Sequence, residues 1–99
     1  MVRGYSMLNK ILSSKKLKLL YNKYSDNYID GIDYDNLISI YSLFKKYNFY
    51  YIDDILVNYL EIFEKDYDYV EEKILELRKD LGNDFVFIIG NDMRYLEKI

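Results

Sequence analysis

Apolar residues recur at helical spacing along nearly the whole chain. A single run reads as a strand, and no second run exists to pair with it. Leu17, Leu20, Tyr21 and Tyr24 follow i, i+3, i+4, i+7 spacing, which lays one side of a helix against a core. Met7, Leu8, Ile11 and Leu12 form a shorter stripe out of phase with it. Ser13 and Ser14 lie between, and either can cap a second helix, so two short helices or one bent helix fit. Residues 25–33 read as a polar connection containing Gly31. Asp33 is expected to N-cap a helix through Tyr47, with Leu37, Ile40, Tyr41 and Phe44 inward and Lys45 and Lys46 at its cation-favouring end. Asn48 is its stop. Ile52, Ile55, Leu56, Tyr59, Leu60 and Phe63 are the buried side of the next segment.

Asp68 and Glu71 have capping-box spacing. Behind them Val70, Ile74, Leu77 and Leu81 make a stripe ending at Gly82, the residue type expected just past a helix. Residues 85–89 have strand propensity, but unpaired they read as a short buried helix capped by Asn83 or Asp84. Gly90 and Asn91 then turn the chain into a last short helix from Asp92. The expectation is all-α: a compact bundle of five or six short helices forming one domain over residues 1–99.

An internal echo leaves one helix-pair repeat open. Residues 41–66 laid over 74–99 match Lys46 with Lys79, Ile55 with Ile88, Asn58 with Asn91, Glu64 with Glu97 and Lys65 with Lys98. Apolar character is kept at Phe44/Leu77, Ile52/Phe85, Leu56/Ile89 and Phe63/Leu96, and an offset of 33 suits a stacked helix pair. Tyr28-Ile-Asp30 recurring as Tyr51-Ile-Asp53 gives a competing offset of 23. The second copy, with Leu81-Gly82, Ile88 and Leu96, loosely resembles the repeats of mitochondrial transcription termination factors. Asn91-Asp92 stands where that family usually has proline, and fewer than two copies fit, so a bundle is retained.

Composition excludes much chemistry. The chain has thirteen tyrosines but no His, Cys, Thr, Trp, Pro, Gln or Ala. Without Cys there is no disulfide and no thiolate zinc site. Residues 26–37 touch the calcium-loop pattern through Asp26, Asp30 and Asp33. Tyr28 occupies a ligand position and Leu37 the place of the bidentate carboxylate, so an Asx-rich turn leading into an N-cap is expected. Adjacent carboxylates such as Asp53/Asp54 and Glu71/Glu72 diverge by about 100° on a helix and make poor metal pincers. No P-loop, GxGxxG or nucleophile–base set is present. The chain is therefore expected to be no enzyme, with no catalytic residue, metal or cofactor. No apolar stretch approaches the roughly 20 residues that span a bilayer, so a cytoplasmic protein without a membrane partner is expected, in the host cell if its source is viral.

Charge is segregated behind a net −3. Residues 1–24 carry six basic side chains and no acid, residues 26–72 carry twelve acids against three lysines, and residues 73–99 are balanced. Such a split marks separate partner surfaces, or one end folding back on the other. The first alternative places a partner-binding surface on Tyr28, Asp30, Asp33, Tyr34, Tyr50, Tyr51, Asp53 and Asp54, rings for contact area and carboxylates for complementarity. In size, charge and composition the chain resembles small acidic nucleic-acid mimics, including many phage anti-CRISPR inhibitors. That resemblance implies a regulator or inhibitor from a phage or mobile element, docking on a larger protein or nucleoprotein complex with a basic patch. The alternative is a nucleic-acid binder using Lys15, Lys16, Lys18 and Lys23 with Tyr21 and Tyr24. A homodimer through the tyrosine surface is the third possibility.

Overall fold

A computed structural model describes residues 7–99, and among them every regular element is helical. Arg3 of the basic segment lies outside the described residues. Residues 7–12 close as a turn in which the Leu12 N–H donates to the Leu8 carbonyl at 2.7 Å. Helix α1, Ser14–Lys23, starts afresh after Ser13, whose Oγ accepts the Lys16 N–H. Two short elements, rather than one bent helix, are present. The supposed polar connection also folds. Ser25 caps α2, Asp26–Asp30, because Ile29 and Ile32, three apart in a polar segment, are both buried.

Helix α3, Tyr34–Lys46, is capped as expected: the Asp33 carboxylate accepts the N–H groups of Asp35 and Asn36 at 3.1 and 3.2 Å. It ends at Asn48, whose φ of 66° is the left-handed conformation that Asn tolerates better than most residues. Helix α4, Ile52–Asn58, breaks at Tyr59, and the chain continues as a first 3₁₀ helix, Leu60–Glu64. The tighter winding stacks residues three apart, bringing Leu60 and Phe63 to the core together. Helix α5, Tyr67–Leu81, begins two residues before the capping-box position, with Asp66 and not Asp68 at the N-cap. It closes at Gly82, with φ of 87°. Helix α6, Phe85–Asn91, runs through Gly90 without turning there, and a second 3₁₀ helix, Met93–Lys98, follows Asp92.

The element boundaries repeat at the offset of the sequence echo. Shifted by 33, N-cap Asp33 becomes N-cap Asp66, helix start Tyr34 becomes Tyr67, α4 becomes α6 end for end, and Leu60 becomes Met93. A side-chain donor position repeats too, with its acceptor one residue beyond Lys98, the equivalent of Lys65. Asn36 Nδ2 donates to the Phe63 and Lys65 carbonyls, and Tyr69, 33 residues later, donates to the Ile99 carbonyl. The units lie side by side: α3 packs on α5, α1 packs on α4, and each 3₁₀ helix packs on the helix before it. The molecule measures 43 × 25 × 20 Å, longer in one direction as a stack of helical layers is.

Burial differs between equivalent helices. Ile40 and Leu43 of α3 are fully buried. Their counterparts on α5 are Lys73 and Glu76, an i, i+3 ion pair with 30% and 53% of the side chains exposed. Helix α3 is covered on more than one side, while α5 keeps one side to water and ends the stack as a polar cap does.

Candidate interaction surface

Most tyrosine hydroxyls tie one element to another. Those of Tyr24, Tyr41, Tyr47 and Tyr59 donate to Glu61, Asp53, Glu71 and Glu97 at 3.0, 3.1, 2.7 and 3.3 Å, and that of Tyr28 donates to Glu64. Burial and then Glu61 push the Tyr24 phenol up to about 12. Burial, followed by the facing carboxylates, also raises Tyr28, Tyr41 and Tyr59. The hydrogen bond to Glu71 raises Tyr47, and Lys46 and Tyr47 together hold Glu71 below its ordinary value. Burial, the larger effect at all but Tyr47, and the bridge to a carboxylate together keep each phenol protonated.

The expected partner-binding residues are distributed by these ties. Tyr34 was expected at the surface and lies inside, 1% exposed, its hydroxyl donating to the Ile29 carbonyl at 2.6 Å. Its spacing of three and seven from Leu37 and Tyr41 turns it inward despite flanking Asp33 and Asp35. Tyr28 stacks on Tyr24 with ring centres 5.4 Å apart. Asp33 is occupied as a cap, Asp30 is half-buried at the end of α2, and Asp53 receives the Tyr41 hydroxyl. Asp54 pairs with Lys16, and Lys23 donates to the Asn58 carbonyl at 3.0 Å. The basic segment thus folds back on the acidic middle, and two of the four lysines expected to meet nucleic acid face α4. Lys15 and Lys18 remain exposed on α1.

Tyr50 and Tyr51 stand apart from that network of carboxylate ties. Phe44, Phe49, Tyr51 and Tyr50 form a chain of edge-on contacts running outward from the core, with centroid spacings of 5.0, 5.7 and 4.8 Å. Phe49 also meets Phe85 of α6. Tyr51 lies along α6 with its hydroxyl on the Val86 carbonyl, and burial raises its pKa well above the usual phenol value. A Cβ at Gly90 would stand 2.8 Å from the Tyr51 ring, too close to pack, and 3.4 Å from the Tyr50 hydroxyl, an ordinary contact, so it is the Tyr51 ring that glycine accommodates. Tyr50 is 72% exposed, and Phe87, one turn before Gly90, is 62% exposed. Together they form an aromatic ledge where the α3–α4 connection meets α6.

Phe87 is absent from the expected site residues, since a buried helix over residues 85–89 leaves no place for an exposed ring. Two signals point to it. With Phe85 and Ile89 inward, a residue between them faces away on a helix. By the 33-residue offset Phe87 also occupies the place of Asp54, a polar position in the preceding layer. The stack therefore folds with an ion pair at this position and does not need an aromatic ring.

Among the described residues no group of three carboxylates could hold a metal ion, and no helix is long and apolar enough to cross a membrane. No protein-family model matches the chain, and comparison with curated proteins and with solved structures finds no match. Functional assignment rests on the surface itself.

Proposed function

We propose that this chain is a small non-enzymatic interaction protein that docks a larger partner on the Tyr50–Phe87 ledge, with acidic residues around it. One observation carries the reading: two large rings are held in water at the junction of two layers, and Phe87 stands where the preceding layer has Asp54, paired with Lys16. Exposed rings that the core does not need are characteristic anchors of protein interfaces. Residues 47–64 and 80–93, which build the ledge, contain no Lys or Arg, and Asp84 among them is exposed without an ion-pair partner among the described residues, so the complementary surface is basic. Covering a basic groove on a protein or nucleoprotein complex would make the chain a regulator or inhibitor.

The test is a titration of the whole chain against labelled basic peptides, acidic peptides, DNA and RNA at two salt concentrations. Basic peptides should bind, weaken at the higher salt, and lose affinity when Phe87 becomes Ser. Nucleic-acid binding that survives Phe87→Ser and disappears on charge reversal of Lys15 and Lys18 would instead assign the function to α1.

A further inference from the structure

Rings and cations are paired throughout this fold. Lys23 stands 5.9 Å from the centre of the Tyr24 ring, Lys46 5.5 Å from Tyr47, Lys65 and Lys73 5.6 and 5.5 Å from Tyr69, and Lys98 6.0 Å from Tyr95. Tyr50 and Phe87 are the most exposed rings of the described residues, and neither carries such a cation there. Neither stretch that forms the ledge contains a Lys or Arg to supply one.

Asp84 precedes Phe87 by three residues at the N-cap of α6. It is exposed, its side chain caps no backbone N–H, and it has no ion-pair partner among the described residues. Gly90, one turn after Phe87, carries no side chain where the Tyr50 hydroxyl approaches α6. The ledge thus offers two exposed rings, an unpaired carboxylate three residues before one of them and, among the described residues, no cation over either ring.

Resting on the docking role proposed above, we infer that the ledge receives an arginine side chain of the partner. Its guanidinium lies flat against Phe87 and Tyr50 and donates to the Asp84 carboxylate. Arginine fits better than lysine because a planar, weakly hydrated guanidinium can stack on a ring and hydrogen-bond in its own plane at once. A purely apolar side chain would use the rings and leave Asp84 without a role.

The experiment uses three fluorescein-labelled peptides that alternate glycine with arginine, lysine or citrulline, and a fourth that alternates glycine with leucine, read by anisotropy against the full chain. The arginine peptide should bind, the citrulline peptide should not, and the lysine peptide should bind several-fold more weakly. Phe87→Ala and Asp84→Asn should each weaken the arginine peptide by about fivefold, with thermal melts close to the parent's. Equal affinity for arginine and lysine peptides, or indifference to both substitutions, overturns the arginine assignment. Tighter, Phe87-dependent binding of the leucine peptide also overturns it while leaving the docking role standing. Failure of every peptide to bind overturns both.

Discussion

At the scale of single residues, one chemical group does opposite work in different places. The Tyr34 hydroxyl is sealed in the core on the Ile29 carbonyl, whereas the Tyr50 hydroxyl stands in water. Tyr34→Phe should therefore lower the unfolding free energy by about 1–2 kcal/mol, the cost of a buried carbonyl losing a donor. Tyr50→Phe should change it by less than about 0.5 kcal/mol. Urea unfolding with equal m-values separates the two, and equal midpoints would show that the Tyr34 bond contributes nothing. Gly90 carries the second residue-scale prediction. Alanine is the better helix former by about 1 kcal/mol, but its Cβ would drive into a Tyr51 ring already held by Phe49, Tyr50 and the Val86 carbonyl. Overpacking of this kind costs about 1–3 kcal/mol. Gly90→Ala should thus lower the melting temperature, and a rise would mean that the Tyr51 ring moves freely.

At the scale of elements, the legible helices were those where stripe, cap and stop agreed. Helix α3 has Asp33, an apolar side and Asn48, and α5 has its stripe and Gly82, so both could be read from the residues. The break at Tyr59 carried no such mark, because Ile55, Leu56, Leu60 and Phe63 suit one continuous helix as well as a helix followed by a 3₁₀ turn. Helix α2 was hidden by polar neighbours around Ile29 and Ile32. The site was less legible than the fold: tyrosine spacing reports which side faces inward, but not which carboxylate a hydroxyl reaches 36 or 37 residues away. The repeat offset held more than its identities suggested, since it also marks where α5 departs from α3. Replacing Lys73 by Ile and Glu76 by Leu restores on α5 the apolar pair that α3 buries at Ile40 and Leu43. That double variant should keep its helical circular dichroism and self-associate through α5, read as a concentration-dependent mass by sedimentation. A monomer at every concentration would show that these two charges do not keep the stack closed.

At the scale of the molecule, the tyrosine ties make cohesion between layers depend on phenolic protons, and the sign of the pH dependence follows. Tyr24, Tyr28, Tyr41, Tyr47, Tyr51 and Tyr59 all have folded-state pKa values above the ordinary phenol value, Tyr24 at about 12. An unfolded tyrosine loses its proton near pH ~10, while the folded one keeps it, so above that pH the folded state binds more protons than the unfolded. Stability from these groups is whole below pH ~10 and falls as pH rises through about 12 for Tyr24. The acid limb has the opposite sign: Glu71 and Asp92 are held below their ordinary values, and what they add is lost as pH falls through those depressed values. Six phenols shift together against two carboxylates, so the melting temperature should fall more steeply on the alkaline side. Circular dichroism melts across the alkaline range should coincide with a cooperative rise in tyrosinate absorbance, because unfolding releases the phenols together. Tyr24→Phe should lower the melting temperature at neutral pH and flatten the alkaline fall, having removed one titrating group along with its bond to Glu61. If the alkaline slope of Tyr24→Phe matches the parent's, the folded state does not hold the Tyr24 proton more tightly than the unfolded chain, and the Tyr24–Glu61 contact adds nothing to the alkaline limb.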